Sequence, residues 1–267
     1  LPTGPIDPSP FVMTLDGSED LAFDGKGHIA AKRGAEIVLV DAVGQAAHLA
    51  DLPDNVFGLR YRADGSLVAA VFGQGQLAEI APNGQVGVLA SGFGLPNGVF
   101  PDAQGNVWVT ETSANKVSRV NPDKSTTVVV PTAPTANGVV LDETRHVLFY
   151  TDYAAGKLMR VDTAGASSPT LVGTVTDGKL DGLVLDECGN VYAVDQGNSK
   201  LYRFELDAAG DAKGEAKLLA TFPKNVANAQ FGSGPGFVAT SLYVTGTPGT
   251  IYELPVGVKG AAVVTPP

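Results

Sequence analysis

Short runs of β-branched, aliphatic and aromatic residues recur along the whole chain, and each run stops at Gly, Asn, Asp or Pro. Clear examples cover residues 107–110, 116–120, 126–130, 147–151, 157–161, 191–194 and 200–204. Long stretches with apolar residues at helical spacing are absent. Four- to six-residue apolar runs with turn residues between them predict strands joined as hairpins, so the expected class is all-β.

The runs are also ordered into repeats. Similar segments begin at Glu19, Phe57, Asn97, Asn137 and Asp181, and a weaker copy begins at Asn228, giving spacings of 38, 40, 40, 44 and 47 residues. Each copy reads as four strands. Six four-stranded antiparallel units of about forty residues predict a six-bladed β-propeller, because each sheet has two apolar faces that only radial neighbours can cover. The whole chain, 1–267, is then expected to form one propeller domain. Asp24-Gly25-Lys26-Gly27, Ala63-Asp64-Gly65, the 102–106 segment and the 186–190 segment are hairpin turns between first and second strands. The C-terminal run 261–265 is the first candidate for the outer strand of the last blade, and 11–15 competes for or extends the same edge.

Composition narrows the function. The chain of 267 residues is 44% hydrophobic and 17% charged, which excludes disorder as its main state. Gly 33 and Pro 18 together make about a fifth of the chain, rich in turns but short of low complexity. No run of 18 apolar residues is free of Gly, Pro or charge, so no membrane-spanning helix is expected. A net charge of −10 argues against nucleic acid and anionic membrane as partners and leaves a small molecule as the expected one. The oligomeric state is open. The lone Cys188 excludes an internal disulfide and a cysteine zinc cluster, and reads as a free surface thiol. With only His28, His48 and His146 in the chain, a multi-histidine metal site is not expected. The Pro-rich stretch from Leu1 to Pro10 reads as extended chain after a cleavage site, which favours a secreted or periplasmic location; a trimmed boundary reads the same.

The candidate chemistry lies at one position of the repeat, where the innermost strand begins. That position holds Glu19, Phe57, Asn97, Asn137, Asp181 and Asn228. In a propeller these residues form a ring around the axis at one depth. Two carboxylates with two or three amide oxygens make a hard donor set, which suits Ca²⁺, or Mg²⁺ with retained waters; Zn²⁺ is a further alternative. Asn-Gly and Asp-Gly are also ordinary turn dipeptides, but turn chemistry does not call for Glu19 or for donors at one level. Glu111, Asp152 and Asp195 follow the ring positions of their own copies by 14, 15 and 14 residues. Antiparallel geometry returns them to the same face, as a second shell for ligands or as caps of strand-end turns. A Gly-x-Ser-x-Gly elbow, a P-loop and the helices of a dinucleotide-binding unit are all missing. Trp108 reads as core.

Several motifs resemble the six-bladed family of senescence marker protein 30, gluconolactonase and luciferin-regenerating enzyme, related to diisopropyl fluorophosphatase and the paraoxonases. They are Glu19 ahead of Leu-Ala-Phe-Asp, Leu-Pro-Asn-Gly at 95–98, Ala-Asn-Gly-Val-Val-Leu-Asp at 136–142, and 180–195 with its Leu-Asp-Gly and Gly-Asn-Val-Tyr-Ala-Val-Asp. The resemblance covers essentially the whole chain. It implies that Glu19, Asn137 and Asp181 bind a divalent cation, that Asn97 is a fourth ligand or a substrate contact, and that Asp181 is the general base or nucleophile. It also implies metal-dependent hydrolysis of a lactone or related ester. Members acting on sugar lactones often carry Arg where this chain has Leu95. Phe57, Phe72, Leu95 and Pro96 make the expected pocket apolar. A histidine that some relatives use in the last blade has no counterpart. Two alternatives stay open: a non-catalytic ligand- or protein-binding propeller with a structural metal, and a lyase or condensing enzyme like strictosidine synthase.

Overall fold

A computed structural model describes residues 2–263 except 3, 13, 14, 16, 53, 54, 166 and 167. Its strands form six four-stranded antiparallel sheets arranged as the blades of a β-propeller. No α-helix occurs among the described residues; Phe72–Gln74 and Gln196–Asn198 are single 3-10 turns. No described helix is long and apolar enough to cross a membrane.

Blade 1 contains Leu21–Phe23, His28–Arg33, Glu36–Asp41 and Ala46–Asp51 from inside outward. Blade 2 contains Val56–Tyr61, Leu67–Val71, Gln76–Ile80 and Val86–Ser91, and blade 3 contains Pro96–Pro101, Val107–Glu111, Lys116–Val120 and Thr126–Val130. Blade 4 is built from Ala136–Asp142, Val147–Asp152, Lys157–Asp162 and Thr170–Thr174, and blade 5 from Leu180–Leu185, Val191–Asp195, Lys200–Phe204 and Lys217–Thr221. Blade 6 joins Asn228–Phe231, Ser241–Gly246 and Thr250–Pro255 to an outer strand from the other end of the chain, Ser9–Val12.

That last strand corrects one expectation. The N-terminal segment closes the ring, with Ser9 opposite Glu253 and Val12 opposite Ile251. Residues 261–263 form no strand; the Ala261 N–H donates to the Leu185 carbonyl at 2.9 Å, beneath blade 5. Residues 13, 14, 264 and 265 of the two competing runs lie outside the described residues.

Burial explains why the second strands read as unbroken apolar runs. Leu67–Val71 and Val107–Glu111 are buried throughout, because both faces pack on neighbouring blades, whereas Thr126–Val130 is mostly exposed at the rim. Each fully buried Val, Leu or Phe contributes about 1.5–3 kcal/mol, so this interblade packing is the main stabilising term. The lower turns are held by their aspartates. Asp102 Oδ1 accepts the N–H groups of Gln104 and Asn106 at 3.0 and 2.8 Å, and its Oδ2 accepts the Trp108 indole N–H at 2.9 Å. Trp108 is therefore core, as its place on a second strand predicts. Cys188 lies exposed in the matching turn of blade 5.

The Asn-Gly and Asp-Gly pairs of the ring position prove not to be turns. In blades 2 to 5 the inner strand carries one extra residue there: Val56 and Leu59 pair with Val71 and Ala69, and Ala136 and Val139 with Asp152 and Tyr150. The same shift separates Pro96 from Val99 and Leu180 from Leu183. These are β-bulges, which turn a side chain off the regular alternation. Glycine is required because the blades touch: a Cβ on Gly138 would stand 2.1 Å from the Asp181 carbonyl oxygen, and one on Gly98 would stand 2.4 Å from that of Asn137.

Candidate metal centre

The bulges fix how the ring is assembled. Gly58 lies against the Asn97 carbonyl, Gly98 against that of Asn137, Gly138 against that of Asp181, and Gly182 against the Asn228 side chain. From blade 2 to blade 6, consecutive ring positions thus touch around the upper end of the channel. Glu19 is 9% exposed and Asp181 2%, and Asn97, Asn137 and Asn228 are also buried. Phe57 is half-buried and packs on Phe72, with ring centroids 4.2 Å apart.

Within this ring the charges are poorly compensated. Burial, the charge of Asp20 and, in the opposite sense, that of Lys32 act on Glu19, whose pKa is pushed up to about 8. Asp181 is held well above the usual carboxylate range by burial first, then by the charges of Glu19 and Asp20. Asp20 itself is raised by burial, but it has partners: Arg60 Nη1 at 2.5 Å and the Leu59 N–H at 2.8 Å on Oδ2, and the Leu21 N–H at 2.8 Å on Oδ1. Glu19 and Asp181 have no such set. Asp181 Oδ2 and Asn137 Oδ1 are buried and accept no hydrogen bond from any described group. A buried acceptor without a donor costs about 1–3 kcal/mol, more when charged. Orphaned oxygens of Asn137 and Asp181 from adjacent blades, with the Glu19 carboxylate acting electrostatically on Asp181, fit a hard divalent cation in both charge and ligand chemistry.

The remaining expected residues are placed differently. Asn228 Oδ1 accepts the Ala229 N–H at 2.9 Å, so unlike Asn137 Oδ1 it has a donor within its own blade. Glu111, Asp152 and Asp195 do return to the upper face, opposite Pro96, Ala136 and Leu180. There they hold loops. Glu111 accepts the Gly94 N–H at 2.8 Å and the Ser118 hydroxyl at 2.5 Å; Asp152 accepts the Thr135 hydroxyl at 2.8 Å; Asp195 accepts the Lys179 N–H and an Asn198 amide N–H, both at 2.8 Å.

Tyr153 is a mouth residue that the repeat does not mark. Its hydroxyl donates to Gln196 Oε1 at 2.7 Å, joining blades 4 and 5, and the charges of Asp181, Glu19 and Asp195 add to burial in raising its pKa. Across the mouth, Leu95 has φ 53°, a left-handed conformation that is costly for a bulky side chain. Its carbonyl accepts the Thr112 N–H at 3.1 Å, which helps hold the loop.

A separate cluster, Glu36, His48 and Asp51, lies on the outer part of blade 1, with potential ligand atoms within 4.8 Å of one another. Glu36 there is already paired with Arg33 at 2.8 Å and His48 at 2.7 Å, and His48 and Asp51 are exposed.

Residues 96–247, more than half of the chain, match the sequence profile of the SMP-30/gluconolactonase/LRE-like region. The chain belongs to this family. A virginiamycin B lyase from Nocardia farcinica is 31% identical over 162 residues, 60% of this chain and 54% of that protein, so the chain spans about half the length of this curated relative. Among solved structures, a putative gluconolactonase superposes with a TM-score of 0.80 at 18% identity, covering 98% of this chain and 96% of that one. A gluconolactonase from Xanthomonas campestris gives 0.78 at 17% identity, covering 96% and 98%. A catalytically inactive His-to-Ala variant of virginiamycin B lyase from Staphylococcus aureus, bound to quinupristin, gives 0.67 at 14% identity, covering 89% and 80%. At these identities the structural likeness is one of fold, and the family assignment rests on the profile.

Proposed function

We propose that this family member is a divalent-cation-dependent hydrolase of lactones or related esters, with Glu19, Asn137 and Asp181 as the cation ligands and Asn97 as a fourth ligand or substrate contact. The observation that carries the reading is the pair of orphaned buried oxygens, Asn137 Oδ1 and Asp181 Oδ2, next to Glu19. A cation held there supplies Lewis-acid polarisation of the lactone carbonyl and stabilises negative charge on its oxygen. Calcium suits the all-oxygen set, and magnesium satisfies the same donors.

The residues of the chain supply the rest. Asp181 takes a proton from water as the water oxygen bonds to the acyl carbon. The ring C–O bond breaks, and the proton passes to the leaving alkoxide. Phe57 and Phe72, packed on each other, form an apolar surface on blade 2, and Tyr153 and Gln196 offer polar groups on the side of blades 4 and 5. Such a mouth suits a lactone with an alkyl or aryl substituent better than a polyhydroxylated one. Phe57→Ala is expected to lower kcat/KM for alkyl lactones about ten- to a hundredfold, the equivalent of one buried aromatic side chain, and to leave unsubstituted lactones nearly unchanged.

The lyase relative favours a second reading, elimination without water. The histidines speak against it. His28 opens the second strand of blade 1 and is tied to Asp24 of the lower turn at 2.8 Å, His146 lies in a turn between a first and a second strand, and His48 is on an outer strand. None stands at the ring, whereas the solved lyase variant lost its activity with one histidine. The test is a panel of lactones and linear esters, assayed with and without chelator, with products weighed by mass spectrometry. Chelator-sensitive turnover with gain of one water is expected. Product of unchanged mass would favour the lyase. Cation-dependent melting with no turnover of any substrate would leave a binding propeller.

A further inference from the structure

Three fully buried threonines single out three of the six ring positions. Thr110, Thr151 and Thr245 sit on the second strands of blades 3, 4 and 6, opposite the ring position of their own blade. Each hydroxyl reaches a backbone carbonyl of the next blade. Thr110 donates to the Asn137 carbonyl, Thr151 to that of Asp181 at 3.0 Å, and Thr245 to that of Ser18, the residue before Glu19, at 3.0 Å. Thr110 and Thr151 also accept the N–H of the bulge glycine in their own blade, Gly98 at 2.9 Å and Gly138 at 2.8 Å.

The other three blades carry no hydroxyl there. Ala70 and Val194 occupy the equivalent place in blades 2 and 5, and Lys32 in blade 1. Those blades face Asn97, Asn228 and Phe57. The bulge itself does not need a hydroxyl, since the Gly182 N–H in blade 5 donates to the Ala227 carbonyl at 2.8 Å instead. Threonine thus appears only where the next blade presents Glu19, Asn137 or Asp181.

We propose that Thr110, Thr151 and Thr245 are positioning residues that fix the carbonyls of Asn137 and Asp181 and the peptide joining Ser18 to Glu19, so that the side chains of Asn137, Asp181 and Glu19 meet around one divalent cation. The proposal rests on the cation reading given above and sharpens it. Asn97, whose backbone no hydroxyl holds in this way, is then a substrate contact rather than a ligand of the same rank. A hydroxyl bridging two blades transmits any displacement directly to the ligand, which is how groups behind a metal ligand set its affinity.

The test uses calcium titration calorimetry of the whole chain at pH 8, together with melting of the calcium-free protein. Thr151→Val keeps the shape and removes both hydrogen bonds. It is expected to weaken calcium binding about ten- to a hundredfold, the usual loss when such an outer partner is removed. Thr151→Ser, which restores the hydroxyl, is expected to bind within about twofold of the wild type. A Thr151→Val protein that melts lower yet binds calcium as tightly as the wild type would overturn the proposal, because the hydroxyl would then serve the fold alone. If that variant does not fold, Thr245→Val gives the same reading while leaving only the Ser18 carbonyl unpaired. Failure of the wild type to bind calcium or magnesium would overturn the cation reading and this proposal with it. Calcium binding that follows the threonines but accompanies no hydrolysis would uphold the positioning role and remove only the lactonase assignment.

Discussion

Asp181→Asn is expected to reduce lactone hydrolysis about 10²- to 10⁴-fold, the range for losing a positioned general base, while the propeller stays folded. The substitution changes one oxygen for an amide nitrogen and leaves the backbone carbonyl free to accept from Thr151. It removes the proton acceptor and half of the formal charge of the two ligand carboxylates, Glu19 and Asp181, so calcium affinity falls as well. Its effect on the calcium-free protein has the opposite sign. Burial and the charges of Glu19 and Asp20 disfavour ionised Asp181, and a neutral amide escapes that cost. The calcium-free variant should therefore melt above the calcium-free wild type at pH 8. Steady-state kinetics and paired melting curves check both halves. Near-wild-type turnover would remove Asp181 from the mechanism.

The second large effect is a pH dependence that calcium reverses. Glu19 titrates near pH 8 in the folded chain, against an ordinary value of 4.5, and Asp181 is shifted in the same direction. The folded state then binds more protons than the unfolded state between these limits. Stability is greatest below the unfolded value and falls as pH rises through the folded one. With chelator present, the melting temperature should decline steadily from pH 5 to pH 9. Calcium needs the ionised carboxylates, so its stabilising effect should grow over the same interval. At a free concentration a hundred times the dissociation constant it amounts to about 2.7 kcal/mol. A calcium-free melting temperature that rises from pH 5 to pH 9 would show that the carboxylates are paired by something else.

The architecture was legible because each blade repeats the same order of short apolar runs, with Asp-x-x-Gly turns marking blades 1, 3 and 5, so the copies align without knowledge of any contact. The candidate ring follows from the same repeat: in the structure the bulge glycines beside Asn97 and Asn137 lie against the Asn137 and Asp181 carbonyls of the next blade. Other features depend on register or on long-range pairing. The bulge that makes Asn137-Gly138 part of a strand appears only when Ala136 and Val139 are matched to Asp152 and Tyr150. Thr245 and Ser18 are 227 residues apart, and no local pattern links them. Asp20 was hidden beside Glu19, and its role follows from Arg60 in the next blade. Closure by Ser9–Val12 goes against the sequence pattern, in which 261–265 is the first of two short β-rich ends, because pairing with Thr250–Pro255 is a contact across the whole length of the chain.

The most direct measurement is diffraction from crystals grown in calcium, with the anomalous signal used to place the ion. The account predicts one calcium per chain on the propeller axis, bound by Glu19, Asn137 and Asp181. Calcium found instead at Glu36, His48 and Asp51, or a ring that holds only water at saturating calcium, would contradict it.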